Sequence, residues 1–374
     1  LSGGVDKPYV GGQAVIEGVM MRSPRCLAIA VRRQDGTIVV REDAWISIWE
    51  RLKFLRWPFF RGAVVLAESV YNGIQALNFA AAQAEVGAPA EGADDPTAQA
   101  QAKVQQATGQ APTPAPVVVE PEKAQGSALT IAVSFLMAIG LFVGLPHALA
   151  WLTGAAAGQP LDVDSFLFHL LDGLFKLAIF VAYIWGISLI PEIRRVFEYH
   201  GAEHKVVNVY ENDMELSLEN ARRFTTFHAR CGTSFLLFVL VLSIFMFAAV
   251  FPFIPKVSDV TVVNHLAMIF IKVPLMLPLA GFAYEINRFA SRHPEQLWVQ
   301  AIVAPGRLMQ KLTTKEPSDD QLEIALAAMR AALAREAALV GVDAEAARAA
   351  AQQSAGTVAV FQDYGHFAAS VSGH

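Results

Sequence analysis

Apolar and polar positions fall into blocks along this chain rather than alternating evenly. From Ala124 to Leu161 there is no Asp, Glu, Lys or Arg, enough for a helix through about 30 Å of hydrocarbon. The pattern predicts a first span at Ala128–Leu152 and a second at Phe166–Ile190, interrupted by Asp172 and Lys176. A third, Cys231–Pro255, carries no charged side chain, and a fourth, Val262–Tyr284, holds Lys272, Pro274 and Pro278. Ahead of these blocks the period shortens. Leu27–Arg32 and Thr37–Arg41 read as strands around Gln34-Asp35-Gly36, a hairpin turn signal, so residues 1–44 are expected to form a small β unit. Trp45–Phe79 reads as a helix interrupted at Pro58. Its Trp, Phe, Lys and Arg mixture suits a membrane surface, and a core helix of the cytosolic part is the other reading.

Ala81–Lys123 is rich in Ala, Gln, Pro and Gly and too poor in large apolar side chains to fold alone, so a linker is expected. Beyond the fourth span, Ser318-Asp-Asp-Gln321 has the form of a capping box opening an Ala-rich helix. The expected divisions are 1–80, a linker at 81–126, a membrane hairpin at 127–190, a cytosolic loop at 191–230, a second hairpin at 231–287, cytosolic helices at 288–340 and a disordered tail at 341–374.

Composition agrees with the blocks. Of 374 residues 54% are hydrophobic and 17% charged, and mean hydropathy is +0.39, against about 25% charged in a soluble domain. This excludes an ordinary soluble enzyme and a disordered chain. Net charge is −5 with no dominant basic tract, so nucleic acid is not an expected partner. Two distant cysteines, Cys26 and Cys231, suit a reducing compartment, and Leu-Ser-Gly-Gly at the start shows no apolar signal core. Loop charges orient the bundle. Thr153–Ser165 has only Asp162 and Asp164, whereas Pro191–Arg230 holds Arg194, Arg195, Lys205, Arg222, Arg223 and Arg230. Positive loops stay inside, so both termini and the central loop are expected in the cytoplasm. The fold class is a mainly α membrane protein: a four-helix transmembrane bundle with a small N-terminal β unit and cytosolic helices. The lipid bilayer is its first expected partner.

The sharpest chemical signal is His200-Gly-Ala-Glu203-His204, the H-x-x-E-H form of inverted zinc-peptidase motifs. On a helix, positions four apart share a face, so two imidazoles can grip one metal ion. Glu203 beside them can act as general base toward the attacking water. Gly201 weakens a helix, and Val206, Val207 and Val209 would equally suit a strand. His228 and Cys231, three apart and just before the third span, complete a closed N₃S set suited to structural zinc. Alternatively Glu285, at the inner end of the fourth span, supplies an acid ligand. Zinc leads among divalent metals, and carboxylate ligands also admit iron or manganese. Glu17, in Gly11–Arg22, is a further candidate site acid, with a Glu17–Arg22 ion pair as its plainer role. Toward the outer face, Asp172 is expected to pair with Lys272 or with Lys176, with His147 and His169 nearby. Ionisable groups at such depth mark transport paths or lock helices together.

Four segments carry a resemblance to a known family. GGQAVIEGVMMRSP at Gly11–Pro24, YHGAEHKVVNVYE at Tyr199–Glu211, HARCGTSFLL at His228–Leu237 and PGRLMQKLTTKEP at Pro305–Pro317 resemble the YqhQ-like bacterial membrane family, which usually has Pro where this chain has Ala229. The resemblance implies a multi-pass protein of the bacterial plasma membrane and a metal-dependent enzyme activity. It points to His200, Glu203, His204, His228 and Cys231, with Glu17 and Glu285 in reserve. Together these readings suggest a metal-dependent hydrolase at the cytosolic membrane face, with a membrane-associated substrate. The alternative is a non-enzymatic scaffold or assembly factor that docks a protein partner.

Overall fold

The computed structural model describes residues 7–48, 52–58, 60–86, 128–158, 161–163, 165–228, 231–290, 293, 296–339 and 357–371. The expected linker therefore lies, beyond residue 86, outside the described residues.

Strands β1 (Gly11–Val15), β2 (Gly18–Arg22), β3 (Cys26–Arg32) and β4 (Ile38–Ala44) form an antiparallel meander. The β3–β4 turn is made by Gly36 at φ 85°, with the Asp35 carboxylate accepting from the Thr37 backbone N–H and hydroxyl. A fifth strand, β5 (Thr357–Phe361), pairs with β4 with Val39 opposite Val360. Helix α11 (Tyr364–Val371) follows it. The sequence pattern predicts only two strands here and a disordered tail at 341–374. The Gly-rich β1 and β2 carry little strand propensity, and β5 is a short run whose partner lies at the other end of the chain.

Both faces of the sheet are covered, so Cys26–Val31 is buried without a break, as expected when no strand face meets water. Alternate residues serve two cores. Val19, Met21, Ala28, Ala30, Ile38 and Val40 pack with α5 (Pro191–Glu211) and α10 (Asp319–Ala338). On the other face, Met20, Leu27, Ile29, Val31 and Val39 meet Ala76, Phe79 and Ala80 of α1 (Phe60–Glu85). Each such fully buried large aliphatic contributes about 1.5–3 kcal/mol.

The stretch expected as one helix over Trp45–Phe79 is divided. A 3₁₀ turn at Lys53–Arg56 precedes α1, and Trp57 is extended at ψ 150° because the Pro58 ring disfavours helical backbone before it. The far end of α1 is a core helix of the sheet. Phe54, Trp57 and Phe60 remain exposed at its front, where Arg61 pairs with Glu285 and Gly62 lies against Gly281 and Tyr284.

Four helical stretches are long and apolar enough to cross a membrane: Ala132–Ala156, Phe166–Ile187, Gly232–Phe253 and Thr261–Ala290. The first comprises α2 (Ala128–Ile139), a π-helical turn at Gly140–Gly144 and α3 (Leu145–Ala156). The others are α4 (Phe166–Ile187), α7 (Gly232–Val250) with the short turn after it, and α8 (Thr261–Ala290). Phe135, Phe245 and Phe270 point outward, while Phe168, Met268 and Leu279 fill the interior. Short α6 (Leu218–Arg223) lies in the central loop. Helix α9 (Leu297–Thr313) packs along α7 and leads into α10. The Ser318–Gln321 capping box is formed, both halves present.

Candidate metal centre

The HxxEH segment lies in the middle of α5, whose N-terminus is set by Pro191 at a first-turn position where a missing N–H costs nothing. Gly201 is the position that makes the surroundings possible. A Cβ there would stand 2.0 Å from the Lys315 carbonyl oxygen. The chain between α9 and α10 therefore runs directly against α5, and Lys315 N–H donates to the Phe197 carbonyl at 2.9 Å.

That close approach brings carbonyls to both imidazoles. His200 Nδ1 lies 2.8 Å from the Thr313 carbonyl oxygen, and His204 Nδ1 lies 2.6 Å from that of Thr226. A carbonyl only accepts, so each Nδ1 carries the proton and donates it. In the neutral ring Nε2 is then left with a lone pair. This is the outer-shell arrangement that orients metal-ligating histidines. Cys231, at the N-cap of α7, puts Sγ 3.3 Å from His200 Nε2 and 3.0 Å from the Thr233 hydroxyl. The ligand atoms of His200, His204 and Cys231 all lie within 4.8 Å of one another, a buried group that could hold a metal ion.

Glu203 completes the set from the β sheet side. Its Oε2 is 3.6 Å from His204 Nε2, and it fits because β1 offers glycine: a Cβ on Gly12 would stand 2.4 Å from Glu203 Cγ. His200, Glu203, His204 and Cys231 are each no more than 9% exposed. Burial works against a charged imidazole, but the Glu203 carboxylate and the Cys231 sulfur overcome it and push the His204 pKa up to about 9. Burial likewise opposes the thiolate, yet in the metal-free protein hydrogen bonds from the His200 and His204 rings, when these carry a second proton at Nε2, hold Cys231 well below the usual thiol range. The cavity thus favours positive charge at its centre. Two neutral imidazoles, a thiolate and a carboxylate carry two negative charges, matching a divalent cation.

The remaining candidates lie elsewhere. His228 is beside the group, its ring 5.6 Å from that of His204, but its Nε2 is 3.1 Å from Glu211. Gln310 clamps its backbone, accepting from His228 N–H and donating to its carbonyl. Glu285 is held by Arg61 on α1. Glu17, at φ 51° in the β1–β2 turn, accepts from Arg195 at 2.5 and 2.6 Å and from the Tyr199 hydroxyl. Its partner is thus α5 and not Arg22, which pairs with Glu68. Asp172 and Lys272 meet at 2.5 Å inside the bundle. Sequence reasoning misses Thr226, Gln310 and Thr313. Two of these, Gln310 and Thr313, fall in the PGRLMQKLTTKEP segment, whose repeated polar side chains are the one signal that could have found them.

Comparison with known proteins gives three findings. A family model described as "Protein of unknown function (DUF1385)" matches residues 57–335. A Bacillus subtilis (strain 168) protein named "Uncharacterized protein YqhQ" is 31% identical over 341 residues, covering 88% of this chain and 94% of that relative. No solved structure matches.

Proposed function

The chain belongs to the DUF1385 family, and on the geometry of its His/Cys centre we propose that it is a multi-pass membrane protein acting as a metal-dependent hydrolase at the cytosolic membrane face. The observation that carries this reading is the pair of imidazoles whose Nδ1 protons are given to backbone carbonyls, leaving both Nε2 lone pairs beside a stabilised thiolate. Membrane placement is supported by four apolar helices with outward-facing large apolar side chains, and orientation by the basic central loop.

His200, His204 and Cys231 would hold the ion, zinc first by the nitrogen and sulfur donors. When bound, such a metal polarises a carbonyl or phosphoryl oxygen and makes water acidic enough to attack near neutral pH. The chain's own contribution is then clear. Glu203 receives the proton of the attacking water on Oε2, and Gly12 keeps that carboxylate in place. Thr313 and Thr226 hold the imidazoles in register. The Phe54, Trp57 and Phe60 cluster, beside the inner end of α8, keeps the site at the lipid surface. The substrate class is an ester or amide presented from the membrane.

A second reading has its own observation. All four groups are nearly sealed from solvent, and with Glu203 as fourth ligand the set closes as a structural centre in a membrane scaffold. Elemental analysis of detergent-purified protein should find about one metal equivalent, lost in His200→Ala/His204→Ala. Metal-free protein after zinc resupply, with no chelator used, sinks both metal readings. Glu203→Gln separates them. Retained metal with lost cellular function supports catalysis; retained metal with full function removes the general base and leaves the scaffold.

A further inference from the structure

Cations near the metal centre differ in how they are satisfied. In the central loop Arg194 holds Glu198, Arg195 holds Glu17, Arg222 holds Asp319 and Arg223 holds Glu219. Buried Lys205 takes the carboxylate of Glu316. Arg307 and Lys311 of α9, and Lys315 just beyond its end, follow one another at intervals of four. Among the described residues no carboxylate pairs with any of the three. Lys315 Nζ instead donates back to the Lys311 carbonyl at 3.4 Å, which keeps its charge at the helix end. Arg307 and Lys311 are exposed.

Contacts to α7 fix the level of this basic edge. Ser234, in the first turn of α7, donates to the Gly306 carbonyl at 3.0 Å and accepts from the Gln310 amide at 2.7 Å. The Thr313 and Thr233 hydroxyls lie 3.3 Å apart. A Cβ on Gly306 would stand 2.8 Å from Ser234 Cβ, so the α9 backbone rests directly on α7. From Gly232 to Phe253 that helix carries no charge and is long enough to span. Its first turn is therefore where a span leaves hydrocarbon for headgroups. At 100° per residue, Arg307 and Lys311 fall on the face of α9 turned away from Gly306 and Gln310. The same outward face carries Leu297 and Leu308, 83% and 61% exposed, and no charge occurs from Leu297 to Gly306. Cationic heads beside apolar surface at this depth suit phosphates, with their stems laid along the lipid.

We propose that the Arg307–Lys311–Lys315 edge binds the headgroup phosphate of an anionic phospholipid in the inner leaflet. Arg307 and Lys311, one helical turn apart, bracket the phosphate, and Lys315 adds charge at the open end. Leu308 and Leu297 offer apolar contact to the acyl chains, which selects a lipid over free phosphate. Thr313, between Lys311 and Lys315, has its carbonyl on His200, so the bound headgroup stands beside the candidate metal centre. This inference rests on the membrane arrangement proposed above and not on the metal.

The test is native mass spectrometry of the full chain released from nanodiscs holding equal phosphatidylcholine and phosphatidylglycerol. The parent should retain phosphatidylglycerol in preference, less so as salt is raised. Arg307→Gln/Lys311→Gln/Lys315→Gln should lower that preference by about fivefold or more. Arg222→Gln/Arg223→Gln, which removes cations already held by carboxylates, should keep it. No preference in the parent, or equal loss in the two variants, overturns the proposal. Should the triple variant fail to fold, an unchanged preference in Lys311→Glu overturns it equally. Chelator-stripped protein should give the same result, so failure of the metal reading leaves this one legible. Nanodiscs expose both faces, and orientation is read separately: Lys311→Cys should react with an impermeant maleimide only after cells are opened. Label in intact cells overturns the assignment to the inner leaflet.

Discussion

At the scale of single residues, the centre depends on what glycine leaves out. Gly201 lowers helix propensity, which by itself argues against a helix; the structure uses the missing side chain to let the Lys315 carbonyl touch α5. Gly201→Ala should therefore do the opposite of an ordinary helix substitution. It is expected to destabilise by about 1–3 kcal/mol through overpacking, read as a lower Tm, and to weaken metal binding because Thr313 moves away from His200. Gly12→Ala should leave metal content intact while displacing Glu203, so activity falls more than stability. A pH dependence follows from His204. In the metal-free protein its proton is held up to about pH 9, and an incoming ion must displace it. Cys231 is held below the usual thiol range by its histidine neighbours, so the slope is set by the His204 proton. Metal affinity should rise about tenfold per pH unit from pH 7 to 9 and then level, measured by competition with a chromophoric chelator. The raised imidazole also stabilises the metal-free fold, fully below its ordinary value of 6.5 and fading as pH rises through about 9. The gain in Tm on adding metal should consequently be larger at pH 9 than at pH 7.

At the scale of elements, legibility followed periodicity. The four apolar helices stand out because nothing but a lipid-facing or wholly buried helix tolerates so long a run without charge. The β3–β4 hairpin was readable from its turn residues and the Ala-rich α10 from its cap. Strands β1 and β2 were hidden by glycines whose purpose is close packing, and β5 by the distance to β4. Within the centre, His200, Glu203 and His204 were visible from their spacing, and Cys231 from its place before a span. Backbone carbonyls carry no sequence signature, so Thr226 and Thr313 were not. His228 illustrates the converse: a histidine at ligand-like spacing that Glu211 and Gln310 engage instead. For the bundle helices, Lys272→Met alone should cost about 3–5 kcal/mol by stranding Asp172 among aromatic rings. Asp172→Asn/Lys272→Met should recover part of that loss, and a double-mutant cycle on unfolding in detergent measures how much. A loss in the double variant equal to the sum of the Lys272→Met and Asp172→Asn losses would show that the pair contributes nothing jointly.

At the scale of the whole molecule, sheet and bundle are joined through the centre itself. α5 belongs to the sheet layer, Cys231 opens a bundle helix, and the α9–α10 connection presses on both. Loss of the metal ligands is therefore expected to loosen the two parts together, seen as faster proteolysis in the central loop of His200→Ala/His204→Ala. The fifth strand has a consequence of another kind. β4 can gain its neighbour only when Thr357–Phe361 has been made, and at about 5–20 residues per second that is roughly 15–60 s after Ile38–Ala44 leaves the ribosome. During that interval the four apolar helices are made while β4 waits with one edge unpaired. Nascent chains halted before residue 357 should accordingly hold chaperone longer than complete ones, and assembly of the sheet is timed by the end of translation rather than by its beginning.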